Sequence, residues 1–405
     1  MTEQVVGASS PPANPRLNDS YFDDGTNTGT GNPGWRFWNG SAWADSGGGG
    51  SSSDRHTATI IVGNSLDGDS LVNCHYLDVG NGVQLQLALN VGADVYIRPG
   101  TYNLQSGAQV PLTVAAGVRV RGAGHKKTII STAVSGGGAD DQRAFNLTNA
   151  DVTLEDIGVY CPIPTGAFIG AAGAVVHVAA AGCTVQRVVV SFESGWVGIY
   201  SAAYPKINAA FGAYSVTDVR FIDCRSILTP QVGRLGGALF YGCFLSGVSR
   251  LATIRGMYIE NADRGLYATA SQFSVHQLEL NGFHSRAAEL LAASRGEIVG
   301  GRFYPSSYAL TARRGVDVSA SDDCVLDDLY IAGRAASDAA IVLINSDRAV
   351  VKGCRGDGNW DSGSGTYGEF LHLDASCVDC IVIANQSNGD GYTDLGTNTD
   401  LAHNH

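Results

Sequence analysis

A six-residue pattern of apolar side chains, Φ-x-x-Φ-x-Φ, recurs nine times along this chain, and no other feature restricts its possible folds as tightly. Its first positions are Leu154, Val185, Val216, Ile254, Val275, Ile298, Leu326, Val351 and Val378, all aliphatic. Around Val185 the pattern reads Val185, Val188, Val190, and around Leu326 it reads Leu326, Leu329, Ile331. The last three positions alternate between apolar and mostly polar residues, the two-residue period of a strand with one face in a core. The three-residue step before them predicts a bend, because a helix would not stop after six residues. Self-similarity at this length signals a solenoid. Short strands, many glycines and no sustained helical period predict a parallel β-helix, with coils stacked at about 4.8 Å and loops free to lengthen on one side.

Composition agrees with an all-β reading. Glycine supplies 53 of 405 residues and only 16% are charged, which favours a turn-rich β protein. A formal net charge of -12 would repel phosphates and anionic lipid, so neither a nucleic-acid partner nor membrane insertion is expected. Met1 to Leu17 lacks the apolar centre of a signal peptide, which predicts synthesis in a reducing cytoplasm. The odd number of cysteines, 9, does not read as a disulfide framework. Cys183 and Cys324 each stand two residues before an anchor and read as small core fillers. Cys377 and Cys380 form a Cys-x-x-Cys with no second pair to complete a zinc site, so packing is expected there too. No cofactor is implied.

Ahead of the repeats, Trp35, Phe37, Trp38 and Trp43 surround Asn39-Gly40, a dipeptide that favours a tight hairpin. Aromatics so concentrated must fold over one another or insert into a partner. The expected division is an N-terminal attachment segment over 1–46, a Gly/Ser linker over 47–56, the parallel β-helix over 57–390 and a C-terminal capping tail over 391–405. Val83 to Leu89 reads as a short helix near the start of the rod.

Two stretches carry a resemblance to known proteins. Leu85 to Leu89, Ile97-Arg98-Pro99-Gly100-Thr101-Tyr102, and Val118 to Gly124 followed by Thr128-Ile129-Ile130 resemble the opening of right-handed parallel β-helix proteins of the pectin-lyase-like superfamily. Right-handed winding follows from that resemblance and from the usual hand of parallel crossovers. Tyr21-Phe22-Asp23 and the segment Gly34 to Trp43 are similar to small N-terminal modules of bacteriophage tail and fibre proteins. Together these features resemble a phage tailspike or tail fibre. The resemblance implies a homotrimer on the virion surface, made in the host cytoplasm. Trp35, Phe37, Trp38 and Trp43 would dock to other tail or capsid proteins, and the rod would contact host-surface polysaccharide. Two alternatives stand beside this reading: a polysaccharide depolymerase, glycosidase or lyase, on the same scaffold, and an architectural fibre or capsid decoration without a glycan site.

Candidate sites follow from the row four residues after each anchor. There Arg220, Tyr258, Glu279, Arg302, Tyr330 and Arg355 would form an outward ladder able to stack on sugars and bond to their hydroxyls, or to bury a trimer interface. Two other rows alternate in charge, Asp156, Arg187, Asp218 and Asp327, Lys352, Asp379, as stacking in register requires. A glycosidase needs two convergent carboxylates; the candidates are Asp322 with Asp323 and Glu260 with Asp263. His177, His276 and His372 are expected on the surface. His403 and His405 form a terminal His-x-His that could bind metal around a threefold axis, although a plain polar tail is the simpler reading and no metal is implied.

Overall fold

The computed structural model describes residues 20–23, 34–38, 43–45, 59–104, 111–132, 143–162, 173–193, 207–228, 241–247, 251–306, 313–333, 337–357, 369–387, 391–402 and 404. From Ile60 onward the chain winds as a parallel β-helix with sheets of 14, 11 and 10 strands. A typical coil places Thr184–Gln186 in the fourteen-stranded sheet, Val189–Phe192 in the ten-stranded sheet and Ile207–Tyr214 in the eleven-stranded sheet. Each strand pairs in parallel with its counterparts one coil before and one coil after.

The bend predicted inside the six-residue pattern is a single left-handed residue. Two positions after each core anchor, Asp156, Arg187, Asp223, Gly256, Gln277, Gly300, Asp328, Gly353 and Ala384 all have φ near +50° to +70°. That conformation turns the chain out of the fourteen-stranded sheet and into the ten-stranded one. For an ordinary residue it costs roughly 1 kcal/mol, a cost offset by burial of the apolar residues on both sides. A matching set marks the other end of the same strand, three residues before each anchor: Asp151, Gly182, Asp218, Leu251, Gln272, Arg295, Asp323, Arg348 and Asp379.

Between these corners the anchors form one buried column. Ile60, Val95, Val120, Leu154, Val185, Phe221, Ile254, Val275, Ile298, Leu326, Val351 and Val382 follow one another in register, each at most 1% exposed. Complete burial of such a side chain contributes about 1.5–3 kcal/mol. Two anchors assigned from the sequence are corrected by this register. Phe221, not Val216, pairs with Val185, and Val382, not Val378, pairs with Val351. In these coils the next apolar slots hold Cys224 with Ser226, and Asn385, so the aliphatic signature is missing where the strand actually lies. Asn385 can occupy a core slot because it is fully engaged. Its Oδ1 accepts from the Cys354 N–H at 2.8 Å and its Nδ2 donates to the Val351 carbonyl at 3.0 Å.

The helix Val83–Leu89 forms as expected and packs Leu85, Ala88 and Leu89 against the first strands. Asp78 holds its start, accepting from the N–H groups of Asn81, Gly82 and Leu85 at 2.8–3.1 Å. Beyond residue 391, Tyr392–Asp394 and Asp400–Ala402 add strands to the eleven- and fourteen-stranded sheets. All nine cysteines are buried free thiols. Several donate to carbonyls, as Cys324 Sγ does to Ala293 at 3.1 Å and Cys380 Sγ to Ser346 at 3.2 Å.

The aromatic segment is a separate three-stranded antiparallel sheet of Ser20–Asp23, Gly34–Trp38 and Trp43–Asp45. Its second and third strands pair antiparallel, with Trp38 opposite Trp43; the turn expected at Asn39-Gly40 lies outside the described residues. The side chains of Trp35, Phe37, Trp38 and Trp43 lie outside the described part of the structure.

Candidate functional site

The ten-stranded sheet carries the ladder. Its outward column runs Val189, Arg225, Tyr258, Glu279, Arg302, Tyr330, Arg355, one residue per coil and in unbroken register. Arg225 replaces the Arg220 expected from the sequence. Arg220 stands instead in the fourteen-stranded sheet between Thr184 and Thr253, where it pairs with Asp218 at 3.0 Å. The other five ladder residues stand where the spacing put them.

Neighbouring rungs interact directly. The Arg225 guanidinium lies 5.9 Å from the centre of the Tyr258 ring. Tyr304, one outward position along its strand, sets its ring 5.7 Å from that of Tyr330 at an interplanar angle of 50°. Tyr330 donates its hydroxyl to Asp357 Oδ2 at 3.0 Å; partial burial and this carboxylate raise the phenol pKa. The ladder opens into a cleft of about 540 Å³ lined by Gln277, Leu278, Glu279, Gly300, Gly301, Arg302, Tyr304, Asp328 and Tyr330. Gly301 has an inward reason to lack a side chain, since a Cβ there would meet the Phe303 ring at 2.7 Å. The cleft therefore combines two phenol rings, one guanidinium and the Glu279 carboxylate from the ten-stranded sheet with the Asp328 carboxylate from the corner beside it. Such a set can pack against a sugar ring and exchange hydrogen bonds with its hydroxyls.

The acid pairs come out differently. Asp323 is a left-handed corner residue held by Arg348 through two hydrogen bonds of 2.6 and 3.1 Å, and this partner pulls its carboxyl pKa down. Asp322 accepts from the Asp347 N–H at 3.1 Å. Both belong to a salt-bridged corner. Glu260 ends a strand of the ten-stranded sheet, whereas Asp263 lies past the left-handed Asn261, just before the eleven-stranded-sheet strand Arg264–Ala268. Burial pushes the Asp263 carboxyl up to about 6, against the opposing pull of Arg264 and Arg286.

The charged rows hold for their first members: Asp156 and Arg187 make two hydrogen bonds of 2.7 and 2.8 Å, and Asp327 meets Lys352 at 3.1 Å. Their last members fall out of row with the displaced anchors, and Lys352 is paired with Ile383. Two histidines are more enclosed than expected. His372 is buried against Glu369 at 2.6 Å, and His177 stacks on Tyr214 at 4.2 Å, where burial lowers its pKa to about 4. His403 and His405 lie outside the described residues.

On the eleven-stranded face sequence reasoning singled out only His177 and His372 and missed a row of arginines. Arg264 and Arg286 open successive strands there and Arg314 stands second in the next, each followed three residues later by Tyr267, Glu289 or Asp317. The repeated Arg-x-x-(Tyr/Glu/Asp) was a readable signal, but loops of unequal length precede these strands and hide it from a search phased on Val185.

No protein-family model and no curated protein matches the chain. Among solved structures it is similar to the A-module of the mannuronan C-5 epimerase AlgE4 from Azotobacter vinelandii, with 12% identity, 85% of this chain and 97% of that one covered, and a TM-score of 0.50. It is also similar to the catalytic unit of a GH87 alpha-1,3-glucanase from Streptomyces thermodiastaticus, with 13% identity, coverage of 87% and 69%, and a TM-score of 0.49. A third is the enzymatically active domain of tailspike protein 2 from bacteriophage CBA120, with 12% identity, coverage of 94% and 50%, and a TM-score of 0.43. At these identities the likeness concerns the fold alone: the chain is a right-handed parallel β-helix.

Proposed function

We propose that this protein is a bacteriophage virion appendage of the tailspike or tail-fibre type, whose β-helix contacts host-surface polysaccharide through the ladder of the ten-stranded sheet. The observation that carries the polysaccharide part is the cleft itself. Tyr304, Tyr330, Arg302 and Glu279 converge on one concavity, and a rigid sheet keeps them there without a ligand. The virion part draws on the aromatic N-terminal segment, which resembles phage tail modules and folds as its own small sheet. In this reading the small sheet docks to tail or capsid proteins, three copies form the appendage, and the protein resides on the virion surface.

Two carboxylates in the same cleft, Glu279 and Asp328, favour a second reading in which the bound glycan is also cleaved. An array of bacterial capsular, O-antigen and exopolysaccharide fragments separates the readings. Saturable binding that Tyr330→Ala and Arg302→Ala weaken at least tenfold supports the receptor binder. New reducing ends or unsaturated uronates, lost in Glu279→Gln, support the depolymerase. Absence of both leaves an architectural fibre and overturns the proposal.

A further inference from the structure

The last complete coil carries two thiols where the two coils before it carry one or none. Counted along the paired strands, two inward slots three residues apart hold Ser321 with Cys324, then Ser346 with Ala349, then Cys377 with Cys380. On a straight strand, residues three apart point to opposite faces. Here the left-handed corner at Asp379, with φ 56°, lies between the two cysteines and both side chains enter the core, where each is fully buried.

The two slots differ in chemistry. The first is a hydroxyl position: Ser321 Oγ donates to the Leu290 carbonyl at 3.2 Å, Ser346 Oγ to Val318 at 3.3 Å and Cys377 Sγ to Leu343 at 3.3 Å. In the second slot Cys380 Sγ donates to the Ser346 carbonyl at 3.2 Å. The sulfurs also meet each other. As donor, the Cys380 thiol draws the Cys377 thiol below its ordinary pKa, and the same contact, together with burial, pushes Cys380 up. Burial pushes the thiols of the other cysteines up as well. Cys377 is thereby set apart as the thiol that gives up its proton most readily, and the thiolate is the form that attacks a disulfide.

Above this corner lies the partial turn 391–402. Backbone bonds hold it there, from the Thr397 N–H to the Cys377 carbonyl at 2.8 Å, from the Asp379 N–H to Thr397 at 2.9 Å and from the Asp400 N–H to Cys380 at 2.9 Å. None of its residues is buried. A terminal turn with so little apolar burial opens more readily than the coils beneath it, so a reagent reaches this pair before Cys324 or Cys354.

We propose that Cys377 and Cys380 are an oxidisable pair, which closes to an intrachain disulfide that fixes the last corner of the rod and, through it, the terminal turn. With glutathione disulfide as oxidant, the Cys377 thiolate attacks one of its sulfurs, expels one glutathione thiolate and leaves a mixed disulfide. Cys380 passes its proton to that thiolate and attacks Cys377 Sγ, expelling the second glutathione. The protein loses two hydrogens, and one small disulfide becomes two thiols. No part of this chemistry draws on the ladder or on the glycan reading.

The probe is glutathione disulfide, applied to the folded full chain purified under reductant. After denaturing alkylation and trypsin, the pair falls in the peptide from Gly356 to His405, which holds no other cysteine. The expected result is loss of two hydrogens from that peptide, reversed by dithiothreitol, with Cys324 and Cys354 still alkylated. Cys380→Ala, which installs the residue of the preceding coil, traps glutathione on Cys377. Cys377→Ser, likewise the preceding coil's residue, leaves Cys380 about tenfold slower to react than Cys377. In the oxidised protein the Thr397 and Asp400 amides exchange several-fold more slowly. Melting curves establish that both variants are folded, and the parent's own oxidation decides should either fail to fold. A disulfide formed only in urea, reaction of Cys324 as fast as that of the pair, or glutathione trapped on Cys380 in preference to Cys377 would overturn the assignment. Unchanged exchange at Thr397 and Asp400 would overturn the locking of the terminal turn.

Discussion

Asp263 shows how one side chain is set against its surroundings. Its carboxyl is raised to about 6 chiefly by burial, with Arg264 and Arg286 opposing the rise and Glu289 adding to it. A folded-state pKa above the ordinary carboxylate value means that the folded protein binds this proton more tightly than the unfolded chain does. The resulting destabilisation is absent below about pH 4, grows up to about pH 6 and is complete above it, amounting to roughly 2–3 kcal/mol. Asp263→Asn should therefore be more stable than the parent at pH 7.5 and indistinguishable from it at pH 4, as read from urea unfolding midpoints. Asn385 is the opposite case, a buried polar group whose hydrogen bonds are made. Asn385→Leu strands the Cys354 N–H and the Val351 carbonyl and should cost about 2–3 kcal/mol, visible as early hydrogen exchange in the last coils. Val188→Asp, at a site with no exposed surface, buries an unpaired charge and should abolish soluble folded protein.

At the scale of strands, the register decides which residues work together. The fold was legible because an aliphatic side chain must return to the same interior at every turn, and only a stacked β architecture satisfies that at such short strand length. The ladder was legible for the same reason, through Tyr258, Glu279, Arg302, Tyr330 and Arg355. It failed at one rung because Cys224 and Ser226 fill the core without an aliphatic signature, which drew the phase back to Val216 and put Arg220 in place of Arg225. The two residues now make opposite forecasts. If the ladder binds glycan, Arg225→Ala should weaken binding several-fold on the array and Arg220→Ala should leave it unchanged. The arginine strip was illegible from the repeat alone, since its strands follow loops of unequal length. Beside it, Gly212→Val should displace the Tyr214 ring and lower the near-ultraviolet circular dichroism of the stacked aromatics.

For the whole molecule, the appendage proposal predicts a particle of three times 42.1 kDa in sedimentation equilibrium; a monomer would argue against it. Trp35→Ala with Trp38→Ala should leave the rod's melting unchanged and abolish incorporation into virions, because among the described residues the small antiparallel sheet shares no strand pairing with the β-helix. The paired left-handed corners have a further consequence for this architecture. In nine successive coils they clamp one arc of the turn to a constant six-residue span, from Asp151 to Asp156 in the first and from Asp379 to Ala384 in the last. Material added or deleted elsewhere in a turn leaves that arc in phase, whereas a change inside it would rotate every later side chain. Such a molecule can exchange its recognition loops freely but can change its reach only by whole turns, like a spiral staircase that is lengthened a storey at a time.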